Sequence, residues 1–227
     1  MKKRWLAILM AVMMAISLLP TAAWAEETTD PGDVTPPAET ASVLFVDPTS
    51  TNEASPDGSE SSPYPSLAAA FTAAAPGDTV KLLNDLKMTA SVTIKNKVTL
   101  DLNGKTITVA INPTTEVGMQ DASTTTTPAT ISAFVVTEDG DFTVKNGKII
   151  GTTNLDNRAI EGSETCTIAL EGLTVSGFSA SEHGGGLKVA SMDNGTYCGQ
   201  GTVTISKCDF NHNSSGENGG SVYLYAV

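Results

Sequence analysis

From Thr79 onward the chain is written in short β-forming runs of two to six residues, each with a Gly, Asn or Asp within two residues of an end. The runs are Val80–Leu83, Val92–Ile94, Val98–Leu102, Thr106–Val109, Phe134–Thr137, Phe142–Val144, Ile149–Ile150, Thr167–Leu170, Leu173–Val175, Gly186–Ala190, Thr202–Ile205, Asp209–Phe210 and Ser221–Ala226. No two-residue hairpin signal joins long alternating partners, so a meander of antiparallel hairpins is a poor fit. The runs also echo one another. LNGKTI at 102–107 returns 43 residues later as KNGKII, and IALEGLTVSGF at 168–178 returns 35 later as VTISKCDFNHN. GGGLKV at 184–189 returns, again 35 later, as GGSVYL. Units of this size cannot bury an apolar face alone and must stack, which predicts an all-β solenoid with loops of varying length. An irregular β-sandwich is the alternative.

The segments before Thr79 differ. Residues 1–25 read as a secretory signal peptide: Lys2, Lys3 and Arg4 precede an apolar run from Trp5 to Leu19, and Ala23-Trp24-Ala25 offers a small-x-small cleavage site. That apolar run is shorter than the ~20 residues a membrane-spanning helix needs. Export is therefore expected, to a secreted or cell-surface location. Residues 26–42 are acidic, Pro- and Thr-rich and without hydrophobic period, as in a disordered spacer. Folding should begin at Val43–Val46. One helix is predicted over Ser66–Ala75, capped by Ser66, with Leu67, Ala70, Phe71 and Ala74 on one face and Pro76-Gly77 as its stop. The Thr-rich stretch Asp121–Thr130 reads as an insertion.

Charge narrows the partners. The whole chain carries −12, and cleaving the signal removes three of its thirteen basic residues and none of its acids. Such a balance disfavours nucleic acid and anionic membrane surfaces, which need clustered Lys and Arg. Beyond the signal the single arginine is Arg158. Cys166 and Cys208 read as small buried hydrophobes in strands; one disulfide plus a spare thiol is the alternative, in which Cys198, in a Gly-flanked loop, could reach Cys208. His183 and His212 are isolated and expected to be solvated.

The opening of the folded part resembles a known family. LFVDP at 44–48, DGS at 57–59, SPYPSLAAAF at 62–71 and PGDTVKLL at 76–83 resemble the start of secreted right-handed parallel β-helix proteins of the pectin-lyase-like superfamily. The resemblance implies a right-handed parallel β-helix over residues 79–227, with residues 43–78 as its N-terminal cap and the short helix covering the open end. VTIKNKVTLDLNGKTI at 92–107 is similar to a first full coil of such proteins. Near the other end, Phe210-x-x-Asn213 followed by Gly219-Gly220-x-Val222 resembles the paired motifs of polymorphic outer-membrane-protein-type repeats. Gly184-Gly185-Gly186-Leu187 looks like an earlier copy whose partner Phe178-Ser179-Ala180-Ser181 lacks the asparagine.

Candidate sites are few. Sugar lyases of the pectin-lyase-like fold use a basic residue and often Ca²⁺ held by carboxylates, so the resemblance points at Arg158, Asp156 and Glu161 as catalytic candidates. Asp156, Glu161 and Glu164 are the candidates for Ca²⁺; a solvated turn is the alternative for Asn154–Glu164. Glu138, Asp139 and Asp141 sit in an ordinary TEDGD turn rather than as a hydrolase pair. Asp101 alternates with Leu100 and Leu102 and should face outward. Tyr223 and Tyr225 share one face of a final strand, where they could form a small carbohydrate platform; a sheet edge awaiting a further coil is the other reading.

These features lead us to expect a secreted or surface-exposed, adhesin-like or carbohydrate-binding β-helix with a glycan or cell-surface ligand and no catalysis of its own. A polysaccharide lyase or glycoside hydrolase is the alternative, and a structural wall spacer a third. The chain stops inside a strand, so it is expected to be part of a longer solenoid, with any membrane contact made through an anchor beyond Val227.

Overall fold

A computed structural model describes residues 41–50, 55–112, 130–152, 154–163, 165–190 and 201–225. The expected signal peptide, nearly all of the spacer, the Thr-rich insertion up to position 129, Glu164 and Cys198 lie outside these residues.

Among the described residues every regular element but one short helix is a β-strand. Its elements are β1 (Val43–Val46), α1 (Leu67–Ala73), β2 (Thr79–Leu82), β3 (Leu86–Met88), β4 (Val92–Ile94), β5 (Lys97–Asp101), β6 (Thr106–Val109), β7 (Ile131–Val136) and β8 (Asp141–Gly151). They continue as β9 (Asn157–Gly162), β10 (Thr167–Ser176), β11 (Ser179–Ala180), β12 (Leu187–Ala190), β13 (Thr202–Ser206), β14 (Asp209–Asn211), β15 (Ser214–Ser215) and β16 (Val222–Tyr225). Every ladder between these strands is parallel. A larger sheet follows the path β1-β2-β5-β8-β10-β13, with β3, β6 and β14 attached. A five-stranded sheet runs β16-β12-β9-β7-β4, and β11 pairs β15. Among the described residues no helix is long and apolar enough to cross a membrane.

Register explains the echoes. β10 meets β13 and β14, β11 meets β15 and β12 meets β16, all at an offset of 35 residues. β8 with β10 and β7 with β9 are offset by 26. The Asn-Gly-Lys echo splits: the pairing Asp101↔Lys145 gives way to Thr106↔Lys148, so the earlier unit holds two more residues at its corner. Asn103 (φ 51°) and Gly104 (φ 76°) take them up in left-handed conformations, which Asn and Gly tolerate best. Asn146, Gly172 and Lys207 occupy the matching corner of later units, also with positive φ.

Alternation places the core. Val98, Phe142, Ile168 and Val203 form one inward row, and Val80, Leu100, Val144, Leu170 and Ile205 another. Burial is complete in the middle of these rows and falls off at Ile205, which is 40% exposed. Phe142 bridges the layers, with ring centroids 5.3 Å from Phe134 on the five-stranded sheet and 6.1 Å from Phe71 on α1. α1 is shorter than predicted but capped as expected, Ser66 Oγ accepting from the Ala69 amide, and it buries Leu67 and Ala70.

Four expectations are corrected. Phe142–Val144 and Ile149–Ile150 are one strand, as are Thr167–Leu170 and Leu173–Val175, because Asn146 and Gly172 bend the strand without ending it. Leu86–Met88, absent from the expected runs, is also a strand. The middle of the Asn154–Glu164 segment is not a solvated turn: Asn157–Ile160 are all buried within β9. Finally, Phe210 pairs with Val175, so Asn213 corresponds to Phe178 and not to Ser181.

Candidate functional site

The five-stranded sheet carries an outward row made by register: Thr93, Val135, Glu161, Lys188 and Tyr223 lie side by side on successive strands. Outward neighbours in a sheet interact across strands, so this row sets the chemistry of the face.

Arg158 anchors it from beneath. A regular strand sends residues three apart to opposite faces, yet Arg158 Nη1 donates to Glu161 Oε2 at 2.8 Å. The guanidinium is buried. Its Nε donates to the Gly184 carbonyl at 2.8 Å and its Nη2 to the His183 carbonyl at 2.7 Å. Ser132, in register with Arg158, donates its hydroxyl to Glu161 Oε2 at 2.6 Å, and Lys188 Nζ lies 3.1 Å from Glu161 Oε1. Burial pushes the Glu161 carboxyl up, but the Ser132 hydroxyl and the Arg158 and Lys188 charges together hold it below the usual glutamate range.

An aromatic stack adjoins this network. The His183 ring lies 4.2 Å from that of Tyr223 at 13°, and the Tyr223 and Tyr225 rings are 6.2 Å apart at 18°. His183 Nδ1 accepts from the Asn218 amide at 3.2 Å, and its Nε2 lies 2.8 Å from Glu217 Oε2. These partners match the Nε2–H tautomer. The expected solvated histidine is instead half-buried and held on three sides. Beside the row runs an open groove of about 750 Å³ lined by Val135, Glu138, Asp139, Glu161, Ala190 and Lys95, among others.

The sequence-derived candidates divide. Arg158 and Glu161 are brought together, and Tyr223 and Tyr225 do share a face. Asp156 lies in a different set, accepting from the Thr130 hydroxyl at 2.6 Å and the Ser181 amide at 2.9 Å. Glu164 is outside the described residues, among which no cluster of three metal-ligating side chains occurs. Asp101 faces outward as expected, accepting from the Asn103 amide and the Asn146 side chain. Glu138 and Asp139 are exposed on a turn closed by the Gly140 amide on the Thr137 carbonyl. Cys166 is buried with a free thiol as expected, but it precedes β10 rather than lying in it, and Cys208 is half-buried between β13 and β14, so neither is a strand residue. Sequence reasoning missed Ser132, Lys188, Glu182 and Glu217. Lys188 was recoverable, since the GGGLKV/GGSVYL echo sets it beside Tyr223.

No known protein family, curated protein or solved structure matches the chain.

Proposed function

We propose that this chain is an exported right-handed parallel β-helix of the pectin-lyase-like type that binds glycans on its five-stranded face without catalysis of its own. The carrying observation is the near-parallel pair Tyr223 and Tyr225, 6.2 Å apart, beside the groove that runs past Glu161 and Ala190. Flat aromatic faces next to fixed polar groups suit a sugar ring, whose own faces are apolar and whose edge is hydroxylated. Parallel pairing throughout and the recurrent 35-residue register support the β-helix; the basic-apolar leader at residues 1–25 supports export. Weak contacts along such a face would sum through multivalency. The lyase alternative leans on Arg158 as its basic group, and that guanidinium is committed to Glu161, Ser132 and two backbone carbonyls.

A glycan array probed with the full chain tests the reading. Binding that is lost in Tyr225→Ala, with circular dichroism unchanged and no sugar product released, supports it. Release of unsaturated or reducing ends from any bound polysaccharide would replace it with the enzyme.

A further inference from the structure

We infer that the glycan face takes saccharide chains without acidic groups, so that uronic-acid polymers are excluded; this rests on the glycan-binding reading above. The charges on the face point there. Lys188 sits between Glu161, at 3.1 Å, and Glu182, at 3.5 Å, so two carboxylates already answer its charge. Arg158 is buried beneath the row and engaged through Nε, Nη1 and Nη2. Both His183 ring nitrogens are occupied, by the Asn218 amide and Glu217. At the groove, exposed Glu138 and Asp139 face one lysine, Lys95.

A sugar carboxylate entering here meets more negative charge than positive. Like-charge contacts at hydrogen-bonding range are repulsive even in water, and two committed cations would have to leave their partners to offset them. Hydroxyl, amide and amine groups meet the opposite situation, because carboxylates accept hydrogen bonds from all three.

Calorimetry on the full chain at low salt, with hexamers of N-acetylglucosamine, glucosamine and galacturonic acid, tests this. The neutral and amine-bearing hexamers should bind, and the galacturonate hexamer about tenfold more weakly or worse. The double variant Glu138→Gln/Asp139→Asn should narrow that gap several-fold. It is safe for folding because both positions are exposed and asparagine tolerates the φ of 60° at Asp139. Galacturonate binding as tight as that of the neutral hexamer, or a gap unmoved in the double variant, overturns the charge inference and leaves glycan binding standing. Absence of binding to all three hexamers and across the array, by folded protein, overturns glycan binding and this inference together.

Discussion

Asn213 fastens its own unit to the preceding one through Phe178: its Oδ1 accepts from the Phe178 amide at 3.1 Å, while its Nδ2 donates to the Val175 carbonyl at 2.9 Å. One side chain thus satisfies a donor and an acceptor that the ladder leaves behind where β10 ends. Asn213→Ala should destabilise the protein by about 1–3 kcal/mol, the cost of stranding partly buried backbone groups. Asn213→Asp, which keeps the acceptor and loses the donor, should fall between. Urea denaturation followed by circular dichroism reads both.

Glu161 makes stability depend on acid. Its carboxyl is held below the usual glutamate range in the folded chain, so its contribution is complete above that range and fades as pH falls through the lowered value. Melting temperatures of wild type and Glu161→Gln should therefore differ most near neutral pH and converge once acid takes the pH well below the usual glutamate range. A gap that widened in acid would contradict the assignment.

Lys207 occupies, at φ 54°, a corner that Asn103, Asn146 and Gly172 fill in other units. A β-carbon in the left-handed region costs about 1–2 kcal/mol, less for asparagine. Lys207→Asn should raise stability by about 0.5–1 kcal/mol. Gly172→Ala, where an added β-carbon meets only Asn146 at 3.7 Å or more, should lower it by about 1 kcal/mol through backbone strain alone. Thermal melts of the two variants should move in opposite directions.

The Cys166 thiol is pushed up to about 11 by burial. At pH 8 it should resist iodoacetamide in the native protein and react on unfolding, whereas half-buried Cys208 should react first; peptide mass spectrometry distinguishes them. Gly162 packs against this thiol, since a β-carbon there would lie 2.6 Å from Cys166 Sγ. Gly162→Ala should cost about 1–3 kcal/mol by overpacking, and it should hasten Cys166 labelling.

Much of the scaffold was legible because turn residues and alternation mark strands wherever apolar side chains recur at every second position. Val92–Ile94 and Thr106–Val109 were readable to the residue. The segment that mattered most was opaque. Asn-Arg-Ala-Ile-Glu-Gly shows no alternation, since Arg158 is buried by ion pairing and carbonyl contacts rather than by its own polarity, and nothing local announces that. Asp156 and Glu161 are close in sequence yet serve different neighbours. Conversely, Ser132 and Lys188 come from other strands that register sets beside β9, and Glu217 reaches His183 from a loop.

The unequal spacing between paired strands has a consequence of its own. Offsets of 26 and 35 residues leave neighbouring strands in unbroken register, and the change from 44 to 42 across one corner leaves the ladder intact on either side of it. The length of chain between rungs is thus decoupled from the rungs themselves. A corner can gain or lose residues without disturbing the face beside it, so new loops can be inherited, or grafted by a protein engineer, while the outward row from Thr93 to Tyr223 keeps its order.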